Sequence, residues 1–212
     1  MYQPRHFEQQ DPATLHALMR EHPLATLVSL TDDGLTADHI PLLYDAADGE
    51  HGTLVGHVAR ANPLWKLAAG TPVMAVFGGH QAYVSPSWYP DKATTHKVVP
   101  TWNYAVVHAH GALHAVEDAG WLHALLSRLS ATHEAAMPQP WSVSDAPPEF
   151  VQQMLRAIVG IRIPVARLVG KWKLSQNKPA ADIEALAGGL QTRDGAAQAL
   201  AQMMRDLPKE TT

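Results

Sequence analysis

The chain of 212 residues contains no cysteine. Disulfides, thiolate zinc sites and cysteine nucleophiles are therefore excluded. Neither sign of charge dominates the sequence: it has 20 Asp and Glu residues and 16 Lys and Arg residues. No long run of like charges occurs. A broad nucleic-acid interface normally shows a basic stripe, so direct DNA binding is not expected.

Long apolar runs and a secretion signal are missing as well. No stretch reaches the roughly 18 consecutive apolar residues that a membrane-spanning helix needs. The opening MYQPRHFEQQDP has no basic segment followed by an apolar one. We therefore expect a cytoplasmic protein with no membrane partner. The 46% hydrophobic and 17% charged residues are typical of a globular protein that buries a core.

The signatures of common nucleotide-binding and hydrolase sites are absent too. The chain has no G-x-G-x-x-G, no G-x-x-x-x-G-K-[ST] and no G-x-S-x-G, which are the phosphate-binding turns and the nucleophile elbow of those classes. No general base or nucleophile is identifiable from the sequence. Whether the protein is an enzyme stays open on this basis.

What the chain does have is a series of short β-rich runs. Asp33-Gly34, between LATLVSL and LTADHIPLLY, is a strong hairpin signal. Further strands are predicted over 52–58, 72–79, 81–87, 101–116 and 158–176, with Gly78-Gly79 separating two of them, Gly111 permitting a bend and Pro164 interrupting the last.

Helical spacing and capping residues predict the helices between and after these strands. They cover 12–21, 63–70, 119–137, 150–158, 179–189 and 194–206. Several strands follow one another directly through hairpins, which a doubly wound parallel sheet does not allow. The pattern predicts a mainly β, α+β fold, with an antiparallel sheet or barrel and peripheral helices.

Basic residues stand where a strand passes into a helix in GHVARANPLW. His57 and Arg60 could cradle an anion there, because free N–H groups at a helix start and an arginine fork both suit a phosphate. The spacing alone favours the simpler interpretation, a solvated arginine and a histidine bonded to backbone.

A row of histidines lies in HAHGALH. His108, His110 and His114 share one face of a regular strand and could bind zinc, copper or haem iron. No acidic residue in the segment orients the imidazoles. A polar face against solvent or a partner is therefore the favoured interpretation.

Two further segments combine donors with aromatic rings. KWKLSQNKP contributes Lys171, Lys173, Ser175, Gln176, Asn177 and Lys178 around Trp172. The loop YVSPSWYPDKATTHKVVPTWNY carries Trp88, Tyr89, Trp102 and Tyr104. Those rings predict either a small satellite core under the loop or a platform for a planar ligand.

Six segments together resemble one known family. They are MYQPRHF, HIPLL, LVGHVARANPLW, AYVSPSWYP, VPTWNY with VVHAHG, and KLSQNKPAAD, spread from residue 1 to about residue 190. The family is the PaiB-like one, called FMN-binding negative transcriptional regulators. The resemblance implies an antiparallel split β-barrel similar to pyridoxamine 5′-phosphate oxidases, and a homodimer that holds FMN between its subunits.

The resemblance also implies which segments hold the cofactor. GHVARANP would bind the FMN phosphate, YVSPSWY and PTWNY would surround the flavin, and KLSQN would approach from the other subunit. The implied contacts are His57, Arg60, Asn62, Ser85, Ser87, Trp88, Thr101, Trp102, Asn103, Lys173, Ser175, Gln176 and Asn177. No metal is implied.

Domain limits and function follow as expectations from the same resemblance. Residues 1–190 would form the FMN-binding split barrel and 191–212 a C-terminal helix and tail. The middle of the aromatic loop, PDKATTHKVV, is expected to be a mobile flap. The role would be redox or regulatory. The alternatives are a transcriptional repressor that acts without flavin chemistry and a haem-binding split barrel.

Overall fold

A computed structural model describes residues 1–207 of the chain. Strands dominate it. They are β1 (Glu8–Gln9), β2 (Leu24–Thr31), β3 (Gly34–Pro41), β4 (Leu43–Asp45), β5 (Thr53–Ala59), β6 (Thr71–Val84), β7 (Thr101–Val116) and β8 (Ile158–Lys173). They form one sheet in the order β3-β2-β6-β7-β8-β5-β4, and β1 pairs with β8. The strand pairs β1–β8, β2–β3, β2–β6, β4–β5 and β5–β8 are antiparallel, as expected.

The helices are α1 (Pro12–Glu21), α2 (Lys92–Thr95), α3 (Ala119–Glu134), α4 (Pro148–Arg156), α5 (Ala180–Gln191) and α6 (Gly195–Arg205). Asp118 caps α3, as an aspartate just before a helical segment predicts. Its carboxylate accepts the Trp121 N–H at 2.7 Å. None of the helices within residues 1–207 has the length and apolar character needed to cross a membrane.

The hairpin predicted from Asp33-Gly34 is confirmed. β2 and β3 pair along their whole length, from Leu24 opposite Pro41 to Thr31 opposite Gly34. Gly34 has a φ of 107°, which side-chain-bearing residues rarely adopt. The turn chemistry therefore sets the register of this strand pair.

The separation of β6 into two strands at Gly78-Gly79 is wrong. The strand runs unbroken over Thr71–Val84. Burial shifts across the glycines, from odd-numbered positions up to Phe77 to even-numbered positions from Ala82. The two glycines thus allow a change of buried face within one strand rather than a turn.

The interruption expected at Pro164 does not occur either, because β8 continues through it. Pro164 lies opposite Thr53, which is the first residue of β5, so the missing N–H falls at the end of that ladder. The next residue, Val165, donates its N–H to the Gly52 carbonyl at 2.9 Å. A proline at a ladder end costs the sheet little.

The helix predicted over 63–70 is only a single 3-10 turn, Pro63–Lys66. Its start is capped by the Asn62 side chain, which accepts the Leu64 N–H at 2.8 Å. The helix ends at Lys66, and the chain continues to Gly70, whose N–H donates to the Leu113 carbonyl of β7 at 2.8 Å. A turn lies here, in which the Thr71 N–H donates to the Ala68 carbonyl at 3.0 Å, so the helix does not continue to residue 70.

The chain divides into two compact units. Unit 1 comprises Met1–Leu18, Gly78–Val107 and Val169–Thr212, of which residues 208–212 lie outside the described part. Unit 2 comprises Met19–Phe77 and His108–Leu168. The expected boundary near residue 190 remains a prediction, and the end of its 191–212 segment lies beyond the described residues.

Each unit has its own core. In unit 2, α3 covers one face of β5: Val55 packs with Leu125 and Leu129. In unit 1, α5 and α6 lie beside each other and bury their apolar faces. The buried residues of these two helices are Leu186, Ala187, Leu190, Ala197, Leu200, Ala201 and Met204. These cores hold the strand ends that carry the predicted site residues.

Candidate functional site

The residues predicted to bind FMN lie in both units. His57, Arg60 and Asn62 belong to unit 2. The remaining ones belong to unit 1: Ser85, Ser87, Trp88, Thr101, Trp102, Asn103, Lys173, Ser175, Gln176 and Asn177.

Arg60 is held by the end of a helix in unit 2. Its Nε donates to the Arg156 carbonyl at 2.8 Å and its Nη2 to the Ile158 carbonyl at 3.1 Å. Its Nη1 forms an ion pair with Glu117 at 2.6 Å. A cation at the C-terminal end of α4 meets the negative pole of the helix. The guanidinium therefore ties β5 to α4 and keeps only its remaining N–H groups for another anion.

His57 lies on the helix-covered side of β5. It stands opposite Gly160 of β8, and a Cβ on that glycine would overlap the Trp121 ring of α3. Burial lowers the pKa of His57 below its ordinary 6.5, and its Nδ1 has no hydrogen-bond partner among residues 1–207. The imidazole is therefore neutral at pH 7, so it brings no positive charge to a phosphate.

Asn62 uses both ends of its amide for the local fold. Its oxygen caps the 3-10 turn at Leu64, and its nitrogen donates to the Asp38 carboxylate at 2.6 Å. The three predicted residues of unit 2 thus have structural partners or a buried position. Their contact with FMN stays a prediction.

Unit 1 presents a sheet face rich in aromatic and basic side chains, on which Trp102 and Tyr83 are exposed and Lys171 is buried. We call it the aromatic face. It consists of Gln81, Tyr83, Trp102, Tyr104, Lys171 and Lys173. Trp102 is 49% exposed and Tyr83 39% exposed, while the neighbouring Asn103 is fully buried. Strand alternation turns every second side chain outward here, because the opposite face belongs to the core.

Two rings of the aromatic face hold each other in place. Trp102 and Tyr83 meet edge to face, with ring centroids 6.2 Å apart. The Trp102 Nε1 also donates to the Gln81 Oε1 at 3.1 Å. These contacts fix the indole plane while leaving half of it exposed, which suits a platform for a planar molecule.

Lys173 reaches across from the end of β8 to β7. Its ammonium donates to the Trp102 carbonyl at 2.5 Å and to the Thr101 hydroxyl. Burial, with the nearby Lys171 charge adding to it, lowers the pKa of Lys173 below 10.5. The Lys173 ammonium therefore ties the end of β8 to the start of β7.

Lys171 also belongs to this face, but it is not among the residues predicted to contact FMN. It is 7% exposed. Its ammonium donates to the Tyr2 carbonyl at 2.9 Å and lies 5.7 Å from the Tyr2 ring centroid and 5.6 Å from that of Tyr104. Lys171 is among the donors predicted from KWKLSQNKP, and its spacing of two from Lys173 places both side chains on one face of β8.

Asn103 and Ser175 lie in the interior of unit 1 rather than on its surface. Their side chains bond to each other, and Asn103 also reaches the Met204 sulfur of α6 at 3.6 Å. Gln176 closes the turn after β8, accepting the Leu174 N–H at 2.7 Å and donating to the Trp172 carbonyl at 2.6 Å. These side chains position the strand end.

The aromatic loop divides between the two roles foreseen for it. Trp88 packs against Gly189 of α5, where any side chain would overlap the indole, and Tyr89 is buried. That end is a satellite core. At the other end Trp102 is exposed, so the prediction of a platform stays open there. Ser85 caps the short turn Pro86–Trp88 through the Ser87 N–H at 3.1 Å.

Two predicted residues lie on the surface beside these groups. The hydroxyl of Ser87 accepts from Lys92 at 2.8 Å, and Asn177 is exposed. Both are accessible, and their contact with a flavin stays a prediction.

The histidines of β7 belong to unit 2 and are half-buried. His108 and His110 have ring centroids 6.4 Å apart, and burial lowers the pKa of both. Within residues 1–207, no three His, Cys, Asp or Glu side chains converge as metal ligands would.

A family model described as "Putative FMN-binding domain" matches residues 1–167. The chain belongs to this PaiB-like FMN-binding family. Protease synthase and sporulation protein PAI 2 of Bacillus subtilis is 30% identical over 212 residues, covering 99% of each chain. An uncharacterised protein of Emericella nidulans is 33% identical over 213 residues, covering 84% of this chain and 85% of that one.

Solved structures match this family member at the level of fold. The flavocytochrome Anf3 of Azotobacter vinelandii has a TM-score of 0.54 at 12% identity, covering 78% of this chain and 69% of that one. An FAD- and haem-binding protein of Mycobacterium smegmatis has a TM-score of 0.53 at 18% identity, covering 86% and 80%. The predicted fold, an antiparallel split β-barrel with peripheral helices, is confirmed.

Proposed function

We propose that this protein binds FMN and that the flavin ring lies against the aromatic face of unit 1. The observation that carries the proposal is the exposed Trp102 indole, which Tyr83 and Gln81 hold in place, together with the Lys173 ammonium bonded to the Trp102 carbonyl. A flavin needs an aromatic wall, hydrogen-bond donors along one ring edge and positive charge near its phosphate. The aromatic face offers each of these.

Each side chain has a distinct task in this proposal. Trp102 stacks on the ring system, the Gln81 amide orients its polar edge, and Lys173 supplies positive charge. Bound FMN would contribute electron-transfer chemistry that no side chain of this protein provides. Ser87 and Asn177, which are exposed, are further candidates for polar contacts. For Arg60 of unit 2, contact with FMN stays a prediction that its remaining N–H groups allow.

We infer that the working form is a homodimer with the flavin between subunits. The aromatic face leaves Trp102 and Tyr83 half-exposed, and a second copy would cover rings that a monomer leaves in water. A two-fold dimer builds each site twice. Sedimentation or light scattering should therefore find a dimer. A monomer at all concentrations would contradict this inference.

A redox or regulatory role is the natural use of such a site. The Bacillus subtilis relative is named for protease synthesis and sporulation, which supports regulation. A repressor acting without flavin would bind an operator whether FMN is present or not. Gel shifts at low salt, with and without FMN, separate these cases, and DNA binding should weaken steeply as salt rises.

The visible spectrum of the purified protein tests the flavin proposal. We expect a flavin band, or its appearance on titration with FMN, and weaker binding by Trp102→Ala. Trp141→Ala is the matched control, because Trp141 is 47% exposed and lies in unit 2. The proposal is wrong if the protein takes up no FMN, or if both variants lose the same amount of FMN affinity.

Haem is the second candidate ligand. The half-buried His108 and His110 are neutral near pH 7, because burial lowers the pKa of both, and neutral imidazole is the form that ligates iron. A haem titration of wild type and His110→Ala decides this. A spectral shift unchanged in the variant excludes His110 as the ligand.

A further inference from the structure

Two lysines of unit 1 lie side by side without an acidic partner. Lys171 and Lys173 alternate on β8 and therefore point to the same face. Neither ammonium forms a salt bridge with a carboxylate of residues 1–207, whereas four arginines do: Arg60, Arg128, Arg162 and Arg205. The two neighbouring ammonium groups of this face therefore both lack a carboxylate partner in the described part of the chain.

Burial makes this arrangement costly for the isolated protein. Lys171 is 7% exposed, and a buried charge is normally paired. Its partners are a carbonyl and two ring faces, which attract a cation but do not neutralise it. The repulsion between the two lysines adds to the cost, so an anion bound between them would relieve both penalties.

The remaining hydrogen-bonding capacity suits an oxyanion. An ammonium has three N–H groups. Lys171 donates one to the Tyr2 carbonyl, and Lys173 donates to the Trp102 carbonyl and the Thr101 hydroxyl. N–H groups therefore remain on both lysines, beside the ring of Tyr104.

We propose that Lys171 and Lys173 form a binding site for a phosphate-type oxyanion, bordered by Tyr2 and Tyr104. The oxyanion has two chemical sources. It is either the phosphate of the flavin itself, in which case the inference rests on the proposed function, or a free phosphate or phosphorylated small molecule, in which case it stands without it.

Paired titrations with FMN and riboflavin distinguish the first source, since the two flavins differ only in the phosphate. We expect wild type to favour FMN by about tenfold or more, as charge-assisted hydrogen bonds imply. The double variant Lys171→Met/Lys173→Met should lose that preference, so that it binds FMN no more tightly than riboflavin. Lys178→Met is the matched control, because Lys178 also lies over a tyrosine ring, 5.8 Å from the Tyr89 centroid, but is exposed.

Thermal unfolding in inorganic phosphate tests the second source, with chloride at equal ionic strength as reference. Stabilisation by phosphate that is lost in the lysine variants, together with an unchanged FMN preference, assigns the site to free phosphate. A phosphate effect without any flavin binding overturns the proposed function and leaves this inference standing.

The inference is overturned if neither the FMN preference nor the phosphate effect depends on these lysines. Circular dichroism establishes that each variant is folded. Because the double variant removes a buried side chain, Lys173→Met alone is the second variant: Lys173 is only partly buried, and this substitution should reduce either effect by itself.

Discussion

Asn103 and Ser175 hydrogen-bond to each other twice in the interior of unit 1. The Asn103 Nδ2 donates to the Ser175 Oγ at 3.0 Å, and that hydroxyl lies 3.1 Å from the Asn103 Oδ1. Asn103 is completely buried and Ser175 5% exposed. Ser175 has a φ of 64°, in the left-handed region that non-glycine residues seldom occupy. The pair pins the turn after β8 to β7, and so positions Lys173.

Removing one partner of this pair should destabilise the protein. Ser175→Ala leaves the buried Asn103 amide without its hydroxyl partner, and we expect a loss of about 1–3 kcal/mol in the free energy of unfolding. Urea unfolding measures it. Ser87→Ala, at an exposed serine, should change little. Equal effects in the two variants would mean that the buried pair contributes nothing of its own.

Adjacent glycines of α5 should respond in opposite directions to alanine. A Cβ at Gly188 meets nothing within 4 Å, whereas one at Gly189 overlaps the Trp88 ring. Gly188→Ala should stabilise by up to about 1 kcal/mol through helix propensity. Gly189→Ala should destabilise by about 1–3 kcal/mol through overpacking. Thermal or urea unfolding checks both, and stabilisation by Gly189→Ala would contradict the packing of Trp88 on this helix.

Arg60 should matter for stability because it joins β5 to the end of α4. We expect Arg60→Ala to cost about 1 kcal/mol, since its side chain is 39% exposed and solvent screens part of its charge. Glu117→Gln removes only the ion pair and should cost less than about 0.5 kcal/mol. If both variants lose the same amount in urea, the carbonyl contacts contribute nothing.

His57 should make stability fall in mild acid. Burial places its folded pKa below the 6.5 of an unfolded histidine. The unfolded chain therefore binds a proton first as the pH falls below about 6.5, which favours unfolding. The stabilisation is complete above that pH and declines below it. Unfolding of wild type and His57→Leu between about pH 7.5 and about pH 5 checks this. A wild-type decline no steeper than that of the variant would contradict it.

Local patterns in the sequence predicted most of the elements. Gly34 predicted the first hairpin because the turn needs positive φ. Asp118 predicted the start of α3 because its carboxylate satisfies a free N–H. The strand errors came at Gly78-Gly79 and Pro164, since the sequence does not show whether a strand breaker lies inside a ladder or at its end. The helix predicted over 63–70 was also wrong, because the chain turns again after Lys66.

The candidate site was less predictable. Lys171 and Tyr104 were named from their segments, and strand alternation adds that each shares a face with the predicted site residue two positions away. The partners of Arg60 would not have been found, since Glu117 and Arg156 are 57 and 96 residues away in the chain. Only the folded sheet and helices bring such groups together.

By itself, the sequence determined the antiparallel β-rich fold, because turns, caps and periodicity act over a few neighbouring residues. The family, and the segments that hold the candidate residues, followed from the resemblance of its six motifs. Tertiary structure alone decided which aromatic rings are core and which are exposed. Trp88 is covered by α5 at Gly189, whereas Trp102 lies on the open side of β7. The physical reason is that burial depends on what packs above a strand or loop, and those groups come from distant parts of the chain.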